Sequence, residues 1–351
     1  MATRSDDVAP AARRGRPRVN IRDVAKLAGV SVATVSRVVS ASNYPVKAET
    51  RERVMQAVKS LHFYPNDLAR GLFQERTNTI GVIVPDASNP YYPEILRGVE
   101  DLASENRFAV IFCNVDHRIE KQRAYLDVLM QKRVDGIIDV GGDYNYRESQ
   151  AALESMDMNL VLIGRHDDLD YPTVENPDVE SGSIAARHLI ELGHRRIAFI
   201  TGPPSSLAAR DRLDGVRGAL AEVGTAMDES LVREGNYDEK TGYDIGRELL
   251  VLQHPPSAIV AANDRMAIGV LAAASDLAVV VPDFVSVIGF DNIVTSLYSR
   301  PALTTVATPL HFAGREAMRV MLGILAGESV PRRTVMPSSL VVRSSTAAVR
   351  G

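Results

Sequence analysis

The hydrophobic pattern of the chain has helical spacing near the N-terminus and changes to short apolar runs after about residue 79. In the first part, apolar side chains recur three and four positions apart and predict one face of a first helix: Ile21, Val24, Leu27 and Ala28. Gly29 is expected to end that helix, because glycine adopts the left-handed conformation of a tight turn at little cost. Ser31 is then expected to cap a second helix, whose predicted buried residues are Val35, Val38 and Val39.

The pattern after residue 79 alternates apolar runs with amphipathic stretches, as parallel α/β units do. The predicted strands are Ile80–Val84, Phe108–Cys113, Gly136–Val140, Leu160–Ile163, Arg196–Thr201, Ala258–Ala261 and Val285–Gly289. The predicted helices are Pro93–Asn106, Lys121–Lys132, Gly182–Leu192 and Asp211–Val223. Because the series starts again near residue 182, we expect two subdomains of parallel sheet flanked by helices, with a ligand cleft at the carboxyl ends of the strands.

The outward face of the second predicted helix carries residue types that read DNA. It is formed by Val32, Ala33, Thr34, Ser36 and Arg37. Hydroxyl groups bind phosphates, methyl groups contact thymine, and arginine pairs with guanine in the major groove. A first helix, a glycine turn and a capped second helix with this outer face predict a helix-turn-helix DNA-binding head.

The segment from Asp23 to Val38 fills the pattern D-V-A-x-x-A-G-V-S-x-x-T-V-S-R-V without a gap. It resembles the N-terminus of the lactose-repressor/galactose-repressor family of bacterial transcription regulators. The likeness continues through a third predicted helix, Ala48–Leu61, and a run at 64–72 similar to the family's hinge helix, and extends to about Arg343. It implies an α/β protein, with a small all-α head on a two-subdomain core like that of periplasmic binding proteins.

The helix pattern and the resemblance together predict which residues contact DNA: Ile21, Arg22, Ser31, Val32, Ala33, Thr34, Ser36, Arg37, Asn43, Tyr64, Asn66, Ala69 and Leu72. The short run Asn66–Phe73 is too short for a stable isolated helix, so its order could depend on DNA and act as a switch. Leu72 matches the family leucine that inserts into the minor groove and bends the operator. The implied operator is near-palindromic double-stranded DNA with a central CpG step.

A dimer is expected because a single head reads only a half-site. The family's tetramers carry a leucine heptad tail, and the final residues VVRSSTAAVRG show no heptads. We therefore predict a homodimer.

The charge of the chain is divided unevenly, although its net value is only −4. Residues 1–70 hold 13 lysines and arginines against 6 acidic residues, whereas the remainder holds 27 against 38. A basic module on an acidic body is typical of a DNA-binding head on a ligand-binding core. Within the first 19 residues, Arg13, Arg14, Arg16 and Arg18 resemble the Gly-Arg-Pro core of AT-hook segments, which lies in the minor groove. A plain disordered basic arm is the alternative.

Several classes of protein are disfavoured. The single Cys113 rules out a disulfide framework and a cysteine-rich zinc site, and the histidines show no metal-ligand spacing. No nucleophile turn or phosphate-binding glycine loop indicates an enzyme, so no cofactor is expected. No apolar run approaches the roughly 18 residues that span a bilayer, and the N-terminus does not resemble a secretory signal. We expect a cytoplasmic protein without a membrane partner; a solute-binding protein is a weaker alternative.

The loops that follow the predicted strands hold guanidinium, carboxylate, amide and aromatic groups suited to a polyhydroxylated ligand. The resemblance places three of them at effector-contacting motif positions, R-L-x-G, N-D-x-M-A-x-G and G-F-D. The predicted effector-binding residues are Tyr91, Tyr92, Arg165, Arg212, Tyr237, Asn263 and Asp291. Gly164 replaces an aspartate common in the family, and Ser206 stands where purine-responsive relatives carry arginine. A sugar or sugar derivative is therefore favoured, with a purine or other metabolite as the alternative, and activation as the alternative to repression.

The expected organisation has five parts. A disordered arm (1–19) precedes the helix-turn-helix domain (20–64) and a hinge (65–76). The core N-subdomain is expected to combine 77–175 with 308–335, and the core C-subdomain 176–307 with 336–351.

Overall fold

The computed structural model describes residues 19–39, 45–63, 76–141, 158–165 and 170–349. The chain divides into two compact units, Met1–Thr77 and Asn78–Gly351. Some predicted features lie outside the described residues: the basic arm before residue 19, the hinge residues before 76, and the DNA-contacting candidates Asn43, Tyr64, Asn66, Ala69 and Leu72.

The described part of the first unit is a bundle of α1 (Ile21–Ala28), α2 (Val32–Val39) and α3 (Ala48–Ser60). Asn20 caps α1 by accepting hydrogen bonds from the backbone N–H groups of Arg22 and Asp23, at 2.8 and 3.3 Å. Gly29 ends α1 in the left-handed conformation, with φ 63°, as the sequence predicted. The small core is formed by Val24, Ala25, Ala28, Val35, Val38, Val54 and Ala57.

Two predicted core positions of the head are wrong or only partly right. Leu27 is 56% exposed, and Ala25 takes its place in the buried face of α1. At 3.6 residues per turn, Ile21, Val24, Ala25 and Ala28 share one side of the helix, whereas Leu27 lies on its flank. Val39 is half-buried and packs on the edge of the core.

The second unit contains two sheets of six strands among its described residues. The first sheet has the order β11-β5-β4-β3-β1-β2, and all of its neighbouring strands run parallel. Its strands are β1 (Thr79–Val84), β2 (Ala109–Asn114), β3 (Gly136–Val140), β4 (Leu160–Ile163), β5 (Thr173–Glu175) and β11 (Arg333–Val335). Its helices are α4 (Tyr91–Glu105), α5 (Ile119–Lys132) and α11 (Leu310–Ala326).

The second sheet has the order β12-β10-β9-β8-β6-β7, and only its β10–β12 pair is antiparallel. Its strands are β6 (Ile197–Thr201), β7 (Val232–Glu234), β8 (Ala258–Ala261), β9 (Ser286–Phe290), β10 (Thr304–Ala307) and β12 (Ser339–Val341). Its helices are α6 (Asp178–Glu191), α7 (Leu207–Glu222), α8 (Glu239–Leu250), α9 (Asp264–Asp276) and the short α10 (Val294–Tyr298).

The chain crosses between the two sheets three times in the described core, after β5, after β10 and after β11. Each sheet therefore contains strands from distant parts of the sequence. No helix among the described residues is both long and apolar enough to cross a membrane.

Four core helices begin earlier than the apolar spacing predicted. They start at Tyr91 rather than Pro93, at Ile119 rather than Lys121, at Asp178 rather than Gly182, and at Leu207 rather than Asp211. Their first turns are rich in polar or small residues, which an apolar period does not detect. For α7 the start is fixed by Ser206, whose hydroxyl accepts a hydrogen bond from the backbone N–H of Ala209 at 3.2 Å. The earlier start of α6 places Asp178 on a helix.

Candidate functional site

A cleft lies between the two sheets of the core, lined by residues that follow β1, β3 and β4 on one side and β6, β8 and β9 on the other. The structure brings all the predicted effector-binding residues to its lining: Tyr91, Tyr92, Arg165, Arg212, Tyr237, Asn263 and Asp291. This convergence follows from parallel topology, because the carboxyl ends of parallel strands lie on one edge of a sheet.

Arg212 is the buried cation of the cleft. Its Nε donates to Asp178 Oδ1 at 2.8 Å, and its Nη1 donates to the carbonyl oxygen of Ala262 at 2.6 Å. The same Nη1 lies 3.6 Å from Asp291 Oδ1. The guanidinium carbon lies 4.8 Å from the centre of the Phe290 ring. These contacts fix the guanidinium plane, and Nη2 makes no hydrogen bond within the described residues.

Asp291 supplies a carboxylate beside this cation. Burial raises its pKa to about 6, although the Arg212 charge acts in the opposite direction. Its backbone has a φ of 98°, and its N–H donates to the carbonyl oxygen of Val306 at 3.0 Å. The buried Asp178, Arg212 and Asp291 therefore form a compact charged group on one wall of the cleft.

Hydrogen bonds and close packing hold Tyr237 in one position. Its hydroxyl is 2.6 Å from the Ser206 hydroxyl, and its carbonyl oxygen accepts from Asn263 Nδ2 at 3.0 Å. Its ring lies so close to Gly202 that a Cβ there would be 2.3 Å from Cζ. Asn263 also caps α9 through Oδ1, which accepts from the N–H of Met266 at 2.9 Å. The Tyr237 ring is therefore held in the lining of the cleft with its hydroxyl group already hydrogen-bonded to Ser206.

The opposite wall is aromatic. The rings of Tyr91 and Tyr92 stand edge to face, with centres 5.1 Å apart. The Tyr91 hydroxyl accepts a hydrogen bond from Asn176 Nδ2 at 3.3 Å. Burial raises the pKa of Tyr91 above its ordinary value, so the phenol is neutral at physiological pH.

Arg165 lies at the edge of the cleft and pairs with Asp211 on α7. The sequence predicted it as an effector contact, and the structure shows that it already has a carboxylate partner from the other subdomain. Asp211 was predicted as the first residue of a helix, but its ion pair with Arg165 was not predicted.

Asn176 and Asp178 also line the cleft and were missed by sequence reasoning. Both lie where the chain leaves β5 and enters α6, a helix whose start was predicted four residues too late. The signal available was an Asn-Pro-Asp sequence before a helix, which commonly marks a helix start rather than a binding group.

The cleft combines fixed donors, carboxylate acceptors and flat rings, the groups that bind pairs of hydroxyls and an apolar ring face. No cluster of potential metal ligands occurs among the described residues. This chemistry suits noncovalent binding.

The second helix of the head presents its polar face to solvent. Ser31 caps α2 as predicted, because its hydroxyl accepts from the N–H of Thr34 at 3.1 Å. Arg22, Ser31, Val32, Ala33, Ser36 and Arg37 are exposed, and Ile21 is half-buried. Thr34 is half-buried and its hydroxyl lies 2.8 Å from that of Ser31, so it faces outward less fully than predicted.

A capped helix-turn-helix joined to a two-sheet core with a polar cleft defines a class, the ligand-responsive DNA-binding regulators. Comparison with known protein families supports this class. Residues 20–66 match the model of bacterial regulatory proteins of the lacI family, and residues 186–346 match a periplasmic binding protein-like domain. The chain belongs to the lacI family of bacterial transcription regulators and is not an enzyme.

Individual relatives cover nearly the whole chain. The transcriptional regulator DegA of Bacillus subtilis is 37% identical over 334 residues, covering 94% of this chain and 98% of its own. The ribose operon repressor of Halalkalibacterium halodurans is 36% identical, covering 93% and 96%. A structure of the lac repressor dimer bound to operator and an anti-inducer is similar with a TM-score of 0.85 and 28% identity, covering 94% of this chain and 99% of that chain.

Proposed function

We propose that this regulator acts as a homodimeric repressor on a near-palindromic operator, and that a neutral, hydroxyl-rich effector bound in the core cleft controls its affinity for DNA. A sugar or sugar derivative is the proposed effector class. The observation that carries this proposal is the buried group of Asp178, Arg212 and Asp291 facing an aromatic wall. Because it would regulate transcription from bacterial DNA, we propose that it acts in the cytoplasm.

The electrostatic composition of the cleft supports a neutral ligand. Arg165 is paired with Asp211, and Arg212 lies between Asp178 and Asp291. No positive charge is in excess, so an anionic ligand gains little there. Arg212 Nη2 and the Asp291 carboxylate can bind adjacent hydroxyl groups, while the tyrosine rings cover an apolar ring face.

Two similar structures point to the same class. A structure of the transcriptional regulator CelR in complex with cellobiose is 32% identical to this chain, with a TM-score of 0.70, and the match covers 93% of this chain and 100% of that one. A lacI-family regulator from Enterococcus faecium was solved with bound ribose, at 29% identity and a TM-score of 0.70, covering 78% and 100%. Repressors named PurR are also among the relatives, for instance that of Edwardsiella ictaluri at 35% identity, covering 93% and 96%, which keeps a purine as the alternative.

On the DNA side, we propose that α2 enters the major groove and that Arg37 reads a base edge. The neighbouring exposed residues, Ser31, Val32, Ala33 and Ser36, are proposed to contact phosphates and thymine methyl groups. The hinge candidates Tyr64, Asn66, Ala69 and Leu72 are proposed, from the sequence resemblance alone, to contact the minor groove at a central CpG step.

Calorimetric titration of the full chain tests the effector proposal. The panel contains neutral mono- and disaccharides, their phosphates, and purine bases. We expect a neutral sugar to bind the parent and the exposed-site control Asp276→Asn, and to bind Asp291→Ala at least about tenfold more weakly, since a lost hydrogen bond to a charged group costs roughly 1.5–3 kcal/mol. Binding of only phosphates or purines contradicts the sugar assignment.

Selection of operators from random duplexes tests the DNA proposal. We expect a near-palindrome with a central CpG step. Reporter transcription from that operator, with and without the chain, distinguishes repression from activation. A selected site without two-fold symmetry would contradict the proposal that a homodimer binds the operator.

A further inference from the structure

Two ion pairs connect the two subdomains across the cleft. Arg165, after β4, pairs with Asp211 on α7. Asp86, after β1, pairs with Arg265 on α9, with 3.6 Å between Asp86 Oδ2 and Arg265 Nη1. Because β3 lies between β1 and β4 in the sheet, the two pairs flank the end of β3, which itself lines the cleft. They therefore join the subdomains at two separate points.

The Asp86–Arg265 pair is built from groups that are already held in place. Arg265 donates to both carboxylate oxygens of Glu239 on α8, through Nε at 2.8 Å and Nη2 at 2.7 Å. Asp86 accepts from the N–H and hydroxyl of Ser88, at 2.8 and 2.9 Å. Both side chains are therefore oriented by their own subdomain, which reduces the entropy lost when they meet.

Both pairs are partly sheltered from water. The side chains of Arg265 and Asp86 are 16% and 27% exposed, and those of Arg165 and Asp211 are 35% and 11% exposed. Coulomb attraction between such groups exceeds that of fully exposed pairs, which water and salt screen more strongly. An opened cleft would hydrate all four charges and lose this attraction.

We infer that Asp86–Arg265 and Arg165–Asp211 act as a two-point electrostatic latch, which holds the subdomains together through the chain's own charges and without ligand contacts. The two points differ in their relation to the cleft. Arg165 lines the cleft, so a ligand that reaches it competes with Asp211, whereas Asp86 and Arg265 lie outside the lining. An effector can thus release one point of the latch while the other holds.

The latch is tested by measuring the distance between the subdomains in the full chain, with no operator or effector present. Spin labels are placed at Arg97→Cys on α4 and Lys240→Cys on α8, whose side chains are 73% and 83% exposed. The buried Cys113 is replaced in the Cys113→Ala background. Pulsed dipolar spectroscopy then gives the distribution of label separations.

We expect the parent to show one narrow distribution, and the variant Asp86→Asn with Arg165→Met to show a shift to longer distances and a broader spread. Each single substitution is expected to give a smaller shift. Raising the salt to about 1 M is expected to move the parent distribution in the same direction but by less than the double substitution, because partly buried pairs are screened less than exposed ones.

The matched controls neutralise ion pairs that lie within one subdomain. Glu222→Gln breaks the contact with Arg187 in the second subdomain, and Glu105→Gln breaks that with Arg315 in the first. Neither control is expected to change the distribution. The latch is refuted if the double variant keeps the parent distribution, or if the controls shift it as much. Near-ultraviolet circular dichroism checks folding, and Asp86→Asn alone decides the question if the double variant does not fold.

Discussion

At the scale of single residues, Asp291 combines two features that each reduce stability. Its carboxylate is buried, and its φ of 98° lies in a region that residues other than glycine rarely adopt. The backbone that follows is also held by specific contacts. Asn292 N–H donates to the Thr305 hydroxyl at 3.3 Å, and Ile293 N–H donates to Asp264 Oδ2 at 3.0 Å. Strain retained in this way is typical of binding sites.

The buried carboxyl group of Asp291 is expected to make the stability of the chain depend on pH. Because the pKa of Asp291 is about 6 in the folded chain and near 3.9 in unfolded chains, the folded state binds more protons between these values. The contribution of Asp291 to stability therefore falls as pH rises from about 4 to 6. Asp291→Asn is expected to be more stable than the parent at pH 7, by about 1–3 kcal/mol, and to lose this advantage at pH 4.

Thermal or urea unfolding of both proteins between pH 4 and pH 7 measures that difference. The control Asp276→Asn changes an exposed carboxyl group on α9 and is expected to show no such trend, because an exposed side chain loses little solvation on folding. A stability difference that is independent of pH would show that Asp291 is ionised throughout.

A second residue-scale prediction concerns base reading. Arg37→Ala is expected to weaken operator binding by about 1–3 kcal/mol and to relax the preference at one base position in each half-site. Arg51→Ala, on α3, is expected to reduce affinity for all duplexes similarly or not at all. Fluorescence anisotropy at fixed salt, on duplexes substituted one base pair at a time, measures both effects. An unchanged base preference for Arg37→Ala would mean that another face of the head reads the groove.

At the scale of elements, the core helices pack in pairs through glycines that touch the backbone of the partner helix. A Cβ at Gly182 of α6 would lie 2.0 Å from the carbonyl oxygen of Arg212, and one at Gly215 of α7 would lie 2.0 Å from that of Val179. Gly98 and Gly314 are related in the same way across α4 and α11. This close approach positions Arg212 beside Asp178.

The glycine contacts give a prediction with an internal control. Gly215→Ala forces a methyl group into a backbone oxygen, and overpacking of this kind costs about 1–3 kcal/mol. Gly218→Ala, one turn further along α7, meets no atom within 4 Å and is expected to stabilise the helix by roughly 0.4–1 kcal/mol. Urea unfolding of the two variants compares them. If Gly215→Ala were as stable as Gly218→Ala, α6 and α7 could move apart without cost.

The sequence predicted elements with strong apolar periods and failed where the period was weak. The parallel strands Gly136–Val140, Leu160–Ile163 and Ala258–Ala261 were predicted to the residue, because buried strands are continuously apolar. The short strands β5, β7, β11 and β12 have three residues each, too few to show an apolar pattern. The cleft residues after strands could be predicted from topology. Asp178 and Asp211 could not, because helix-borne carboxylates resemble ordinary solvated or capping groups.

At the scale of the whole molecule, the two compact units have very different cores. The head core consists of small side chains such as Val24, Val35 and Ala57, whereas the second unit buries large side chains on two sheets. A small core supports only marginal stability. The two units are therefore expected to unfold in separate steps.

Scanning calorimetry of the full chain tests this prediction. We expect a small transition at lower temperature from the head and a larger one from the core. Operator DNA is expected to raise the temperature of the head transition, and an effector that of the core transition, because a ligand stabilises the unit that binds it. A single transition whose temperature rises with either ligand would contradict the prediction that the two units unfold in separate steps.

The three crossings between the sheets also bear on how the chain is made. The head is formed by consecutive residues, so it can fold while the ribosome is still adding the core. Each half of the core instead awaits a strand from the far end: Arg333–Val335 completes the first sheet and Ser339–Val341 the second. A stop codon after residue 330 would leave the DNA-reading head whole and remove an edge strand from both halves of the core at once.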